Sequence, residues 1–145
     1  MRIDKESRRL KKDAIKVGLC DEWTENWGDE DVASLCSKFV RGIDFCIKHN
    51  YPSMKQLDKF KGLSEKYGVI TNQAVSMDTE LDFYVFNGDC SGVVKVPDWG
   101  VVRLYIRHSC SLIVELGDNS ICHIDLHDEA KVQINGNGKH IIKHG

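Results

Sequence analysis

Hydrophobic and polar residues alternate in two different ways along this chain. In the first half, apolar residues recur at spacings of three and four, which places them on one face of a helix. From about residue 82 they recur at every second position, which places them on one face of a strand. The sequence therefore predicts an α+β protein, with a helical part at residues 1–67 and a β-repeat part at residues 68–145.

Three helices account for most of the apolar pattern in the helical part. Residues 4–17 carry a narrow apolar stripe among charged positions, and Gly18 follows as a candidate C-cap. A broader apolar face starts after Asp29, the predicted N-cap, and continues without interruption to about Lys48. Residues 53–56 have the spacing of a capping box, which predicts a third, short helix.

A ten-residue period lies above the alternation in the β part and is clearest over residues 102–142. The equivalent apolar positions include Val102, Leu112, Cys122, Val132 and Ile142. A fixed period makes successive ten-residue segments, each with one strand, structurally equivalent. Two folds have this property: a short β-solenoid with two such segments per coil, and a β-meander joined by hairpins. The solenoid is favoured, because within residues 102–142 two-residue Asn-Gly hairpin signals are missing except near residue 136, and because aliphatic side chains of similar size stack well in ladders.

Composition and charge restrict the class of protein further. Hydrophobic residues make up 41% and charged residues 29%, as in an ordinary folded domain, and the net charge of −2 gives no overall bias towards nucleic acid or an anionic membrane. No apolar run approaches the roughly 20 residues of a spanning helix, and no signal peptide precedes the first helix, so a cytoplasmic protein is predicted. The six cysteines contain no CxxC pair, which predicts reduced and mostly buried thiols.

Five of the six histidines fall in the β part, where a metal site is the first chemistry to consider. His108 and Asp128 share a phase twenty residues apart, so they would stack on neighbouring coils and are the candidate metal ligands. Their spacing matches the known ligand sets only loosely. No phosphate-binding loop, HExxH, GxSxG or GxGxxG motif occurs either, so no catalytic residue, metal or cofactor is assigned and an enzyme is not favoured.

A candidate interaction surface lies near the N-terminus. Residues 1–17 hold seven basic residues against three acidic ones, and two tryptophans four residues apart follow. A solvated helix face and packing anchors are the favoured explanations of these residues. The alternative is contact with phosphate or an acidic partner, through Arg8, Arg9, Lys11, Lys12, Trp23 and Trp27.

Residues 19–23 and 39–52, with sequences LCDEW and FVRGIDFCIKHNYP, resemble signatures of small uncharacterised bacterial proteins of prophage or mobile-element type. The resemblance implies a helical head followed by a tail of short β repeats, and it implies no activity.

Three hypotheses of function follow. The leading one is a non-enzymatic interaction or assembly module, with a protein partner or self-association. The second is a ligand- or carbohydrate-binding protein, or an enzyme, that uses the outward positions of the β part, among them Arg103, Tyr105 and Asp125. The third is nucleic-acid binding through the basic first helix, which the absence of interleaved aromatic residues weakens.

Overall fold

The computed structural model describes residues 1–28 and 30–145, so that Asp29, the predicted N-cap, lies outside the described residues. Its contacts divide the chain into two compact units, Met1–Tyr67 and Gly68–Gly145. Among the described residues, the first unit holds the helices and the second holds the strands. The predicted α+β class is confirmed.

The helical unit contains five α-helices and one 3-10 turn within the part of the chain that the structure describes. They are α1 (Ile3–Lys16), α2 (Asp21–Glu25), α3 (Val32–Arg41), α4 (Ile43–His49), α5 (Met54–Asp58) and the 3-10 turn Glu65–Tyr67. Leu10 and Ala14, from the stripe predicted for α1, are buried. The hydroxyl of buried Tyr51 donates a hydrogen bond of 2.6 Å to the Leu10 carbonyl oxygen, which ties α1 to the segment after α4.

The long helix predicted up to Lys48 is interrupted, and its cap lies elsewhere. Asp31 is the N-cap of α3, and its carboxylate accepts the backbone N–H of Ser34 at 2.8 Å. Gly42 separates α3 from α4. Backbone hydrogen bonds nevertheless continue through it, since its N–H donates to the Lys38 carbonyl oxygen and its carbonyl oxygen accepts the backbone N–H of Cys46. A Cβ at Gly42 would lie 3.1 Å from the Lys38 carbonyl oxygen, tighter than most such contacts, so this kink suits glycine. The apolar stripe runs across the kink, which is why periodicity alone missed it.

The capping box at residues 53–56 is confirmed.

The β unit is a parallel β-solenoid of about four coils. Its strands are β1 (Val69–Thr71), β2 (Ala74–Asp78), β3 (Phe83–Asn87), β4 (Ser91–Val96), β5 (Val101–Ile106), β6 (Ser111–Leu116), β7 (Ile121–Leu126), β8 (Lys131–Gly136) and β9 (Lys139–His144). Odd-numbered strands form a five-stranded sheet and even-numbered strands a four-stranded sheet. Every strand pairs in parallel with the strand two places further on. Parallel pairs cannot be joined by hairpins, so the meander is wrong and the predicted solenoid is confirmed.

Ladders of identical register fill the space between the two sheets. Leu104 pairs with Ile124 in one sheet and Leu112 pairs with Val132 in the other, an offset of twenty residues in both. Their inward side chains form a single core, whose fully or almost fully buried members include Phe86, Val94, Leu104, Ile106, Leu112, Val114, Cys122 and Ile124.

The period changes at both ends of the solenoid. The first coil is shorter, since Val69 pairs with Val85, and it starts before the alternation becomes clear in the sequence. In the last coil Ile142 pairs with Ile124, whereas the ten-residue period placed it in the column of Cys122. The reason is that only residues 137 and 138 separate β8 from β9, while four residues separate β7 from β8.

Candidate functional site: an apolar pocket in the helical unit

A pocket of about 350 Å³ lies within the helical unit. Its lining comes from α1, α2, α3, α4 and the segments that follow α1 and α4, and it is mainly apolar, with Leu10, Leu35, Phe39 and Phe45 among its members. Both tryptophans of the candidate interaction surface also line it. A concave, apolar cavity of this size is typical of a small-ligand or side-chain binding site.

Trp23 and Trp27 meet at this pocket, but not because they share a helix. The helix α2 ends at Glu25, so Trp27 lies beyond it. The two indoles converge instead on Lys38, whose Nζ lies 5.7 Å from both ring centroids. Such distances allow cation–π attraction. The pocket wall therefore depends on a contact between α3 and the segment around α2.

Polar contacts to α1 hold Trp27 in place. Its indole N–H donates to the Ser7 hydroxyl at 3.0 Å, and its carbonyl oxygen accepts from Lys11 Nζ at 3.2 Å. Because indole offers only one donor, the bond to Ser7 also fixes the orientation of the ring. Of the four basic candidates on α1, Lys11 is thus brought to the tryptophans, where it supports the pocket.

The mouth of the pocket carries charge that is only partly neutralised. Lys38 forms a salt bridge of 3.4 Å with Glu30, and both side chains are largely buried. Arg41 is exposed, and its guanidinium carbon lies 5.3 Å from the Trp23 ring centroid. Asp44 lines the pocket too, but no salt bridge among the described residues includes either Arg41 or Asp44. Arg41 is the cation that the mouth offers to a ligand.

Arg8 and Arg9 lie outside the pocket lining and are paired on the surface of α1. Arg8 forms a salt bridge of 3.6 Å with Asp4, and Arg9 forms one of 3.2 Å with Glu6. Lys12 is exposed. These internal pairs reduce the positive field of α1, because surface charges balanced nearby attract distant phosphate only weakly. Nucleic-acid binding stays a prediction without added support.

His108 and Asp128 occupy equivalent turns of neighbouring coils, both in the left-handed backbone region. His108 Nδ1 accepts the backbone N–H of Gly88 at 2.9 Å, and Asp128 Oδ2 accepts the backbone N–H of His108 at 3.1 Å. Burial lowers the pKa of His108, Arg107 lowers it further, and Asp128 opposes them. Over residues 1–28 and 30–145 no group of three or more His, Cys, Asp or Glu side chains is placed to hold a metal ion. In this geometry the pair caps solenoid turns.

The outward face of the five-stranded sheet differs from the polar platform expected for a carbohydrate. Tyr105 is only 5% exposed and stacks between Phe83 and His127, at centroid distances of 5.2 and 6.0 Å. Asp125 is equally buried and accepts a bond of 2.9 Å from Arg103 Nε. The tyrosine is therefore packed within a row of rings, where its face is not open to a sugar.

Cysteine accessibility was not distinguished by the sequence. Five of the six thiols are buried, whereas Cys20 is exposed and lines the pocket. Burial raises the pKa of Cys36, with a further rise from Glu65, and raises that of Cys122, in both cases to about 12. Cys20 is consequently a natural chemical reporter of what occupies the pocket.

Comparison with models of protein families, with curated proteins and with solved structures found no match to this chain. No helix within the described residues is both long and apolar enough to cross a bilayer. A function is therefore inferred from the geometry of the pocket, and the resemblance of residues 19–23 and 39–52 to prophage-type proteins stays a prediction.

Proposed function

We propose that this protein is a non-enzymatic interaction module, whose helical unit binds a short apolar segment of a partner protein that also carries a carboxylate. The observation that supports this most directly is the apolar pocket with two indoles in its lining and Arg41 at its mouth. The pocket supports the leading hypothesis from the sequence, an interaction module with a protein partner.

The apolar lining accounts for the affinity. Leu35 and Phe39 come from α3 and Leu10 comes from α1, so the pocket is held by packed helices and is formed before a partner arrives. Burying one large apolar side chain of a partner contributes about 1.5–3 kcal/mol. A preformed site also avoids much of the ordering cost of binding.

Arg41 accounts for the preference for an acidic partner. A guanidinium presents planar donors that match a carboxylate, and a ring beneath it leaves those donors free to bond. Lys38 is already matched by Glu30, whereas no salt bridge among the described residues includes Arg41, so its guanidinium is the group that can bond a carboxylate of the ligand. We expect an apolar anchor with Asp or Glu close to it in sequence.

Selection from a phage-displayed library of random dodecapeptides on the intact protein tests the proposal. Recovered peptides are expected to share an apolar residue flanked by Asp or Glu. Their affinity is then measured by tryptophan fluorescence in a Trp99→Phe background, where the remaining two tryptophans both line the pocket. A change in emission on titration reports binding at that site.

Two variants and one matched control locate the binding site. Cys20→Phe fills the exposed side of the pocket, and Arg41→Glu reverses the charge at its mouth; each should weaken binding about tenfold or more, which corresponds to about 1.4 kcal/mol. Lys48→Glu makes the same charge reversal on exposed α4 outside the lining and should leave affinity unchanged. Peptides without acidic residues, or binding that is equally sensitive to all three changes, would contradict the proposal.

A further inference from the structure

Five large apolar side chains of the β unit are open to solvent, and all but Leu81 lie at β5, β7 or β9 of the five-stranded sheet. Trp99 is 76% exposed, Val101 64%, Ile121 49% and Ile141 63%. Val101 and Ile121 are register partners on β5 and β7, Trp99 precedes Val101 by two residues, and Ile141 is the register partner of His123, two residues beyond Ile121. Together these four residues form a diagonal apolar stripe across three coils.

The solenoid itself has no need of a tryptophan at residue 99. Trp99 lies in the left-handed backbone region with φ 65°, and the equivalent residue of the next coil, Asn119, has φ 59°. Asparagine adopts this conformation readily, whereas a bulky side chain pays about 1 kcal/mol or more. Since the indole is mostly exposed, core packing does not offset that cost. A strained and exposed aromatic residue is characteristic of a binding surface.

We infer that the row of Val101 and Ile121 binds the same row of a second copy of this chain in a twofold contact, with Trp99 beside the row. Charges on the two sides of the stripe are complementary to each other. Asp98 and Asp118 flank it on the turn side, while Arg103 lies two residues beyond Val101 on the strand side. Asp98 and Asp118 are exposed, and the Arg103 side chain is 43% exposed beside its partner Asp125.

The twofold axis runs parallel to the stack of coils and passes through the row of Val101 and Ile121. The strands of the two copies therefore point in opposite directions across the contact. The acidic turn of one copy then faces the Arg103 row of the other, and Trp99 faces the other copy's guanidinium. Both contacts occur twice, as a twofold interface requires. Lys139 continues the row at the last coil, and its long side chain can direct the ammonium to the solvent at the rim.

Neighbouring coils supply the substitutions for a test. Trp99→Asn installs the residue found at the equivalent turn of the next coil, and Ile121→Lys installs the register partner found at Lys139. Both should therefore fold as the wild type does, and Trp99→Asn should melt at the same temperature or higher. Ile15→Lys is the matched control, since it adds the same charge at an isoleucine that is 46% exposed on α1.

Sedimentation velocity of the intact chain, from about 1 μM to about 0.5 mM, measures the association. The wild type and Ile15→Lys should both pass from monomer to dimer, with a Kd of about 10–100 μM as for a small interface. Trp99→Asn and Ile121→Lys should weaken this by tenfold or more while keeping their thermal midpoints. A wild type that stays monomeric throughout, or a dimer that survives both substitutions, would overturn the inference, as would association to species larger than a dimer.

Discussion

Truncation of Leu104 to alanine should destabilise the β unit much more than truncation of Ile142, although both side chains lie in one ladder. Leu104 is fully buried between its register partners Tyr84 and Ile124. Ile142 pairs with Ile124 in the last coil and is partly exposed. Leucine and isoleucine are isomers, so each substitution removes the same three carbons and the comparison isolates the position in the stack.

The expected magnitudes follow from burial. Removing three buried carbons at about 0.8 kcal/mol each costs about 2.4 kcal/mol, and the cavity left between two strands fixed by the ladder raises this to about 3–4 kcal/mol for Leu104→Ala. Ile142 is partly exposed, so part of the transfer energy is already missing, and because water can fill the space no cavity cost is added; we expect about 1.5–2 kcal/mol.

Pulsed thiol labelling during denaturation measures the effect in the β unit alone. Cys90, Cys110 and Cys122 are buried in the β unit, while Cys36 and Cys46 are buried in the helical unit. Quantifying each labelled cysteine by mass spectrometry therefore gives a separate unfolding curve for each unit, which matters because two units need not unfold in one step. Equal shifts of the β-unit curves in the two variants, or a larger shift for Ile142→Ala, would refute the stacking described here.

Three further predictions concern turns and thiols. Burial lowers the pKa of His108, so the stabilisation from its neutral form is complete above the ordinary value of 6.5 and is lost as pH falls through the lowered pKa. His108→Asn keeps an acceptor for the Gly88 N–H and should therefore flatten the fall in thermal midpoint between about pH 7 and pH 5. An equally steep fall in the variant would contradict this. Gly92→Ala should lower the thermal midpoint measured by circular dichroism, because φ is 141° at Gly92 and a Cβ would collide with the Val75 carbonyl oxygen. Gly28→Ala is the control, since a Cβ at Gly28 meets open space and should leave the midpoint unchanged. Equal midpoints for the two variants would contradict this. Maleimide should add once to the native chain, at Cys20, and six times after denaturation, as counted by intact mass; rapid native labelling of a second thiol would contradict the burial pattern.

The coil of the solenoid could be predicted from the sequence because its interior repeats. Each inward position has an equivalent twenty residues later, as Leu112 and Val132 show, and a ladder of similar aliphatic side chains leaves that period in the sequence. The last coil could not be placed, since residues 135–138 indicate a turn but not its length. Shortening the connection to residues 137 and 138 moves Ile142 by two positions while preserving the alternation.

The pocket was only partly predictable. Trp23 and Trp27 stand out by their size and spacing, yet Lys38 and Arg41 lie away from the apolar stripe of α3 and resemble solvated side chains in the sequence. They become part of the pocket because the indoles, more than ten residues earlier, pack against them. Such a contact leaves no periodic signal. Arg8 and Arg9, which local charge made prominent, pair with acidic residues of their own helix.

The alkylation rate of Cys20 measures whether an apolar, acidic segment binds in the pocket of the helical unit. Cys20 is exposed and lines the pocket, so an occupant should shield its thiol. With a peptide from the library selection at about ten times its Kd, we predict that the rate falls about tenfold, and that Arg41→Glu, which binds about tenfold more weakly, brings the rate back to about half that of the free protein at the same peptide concentration. An unchanged rate while the peptide is bound would place the binding site elsewhere and contradict the account.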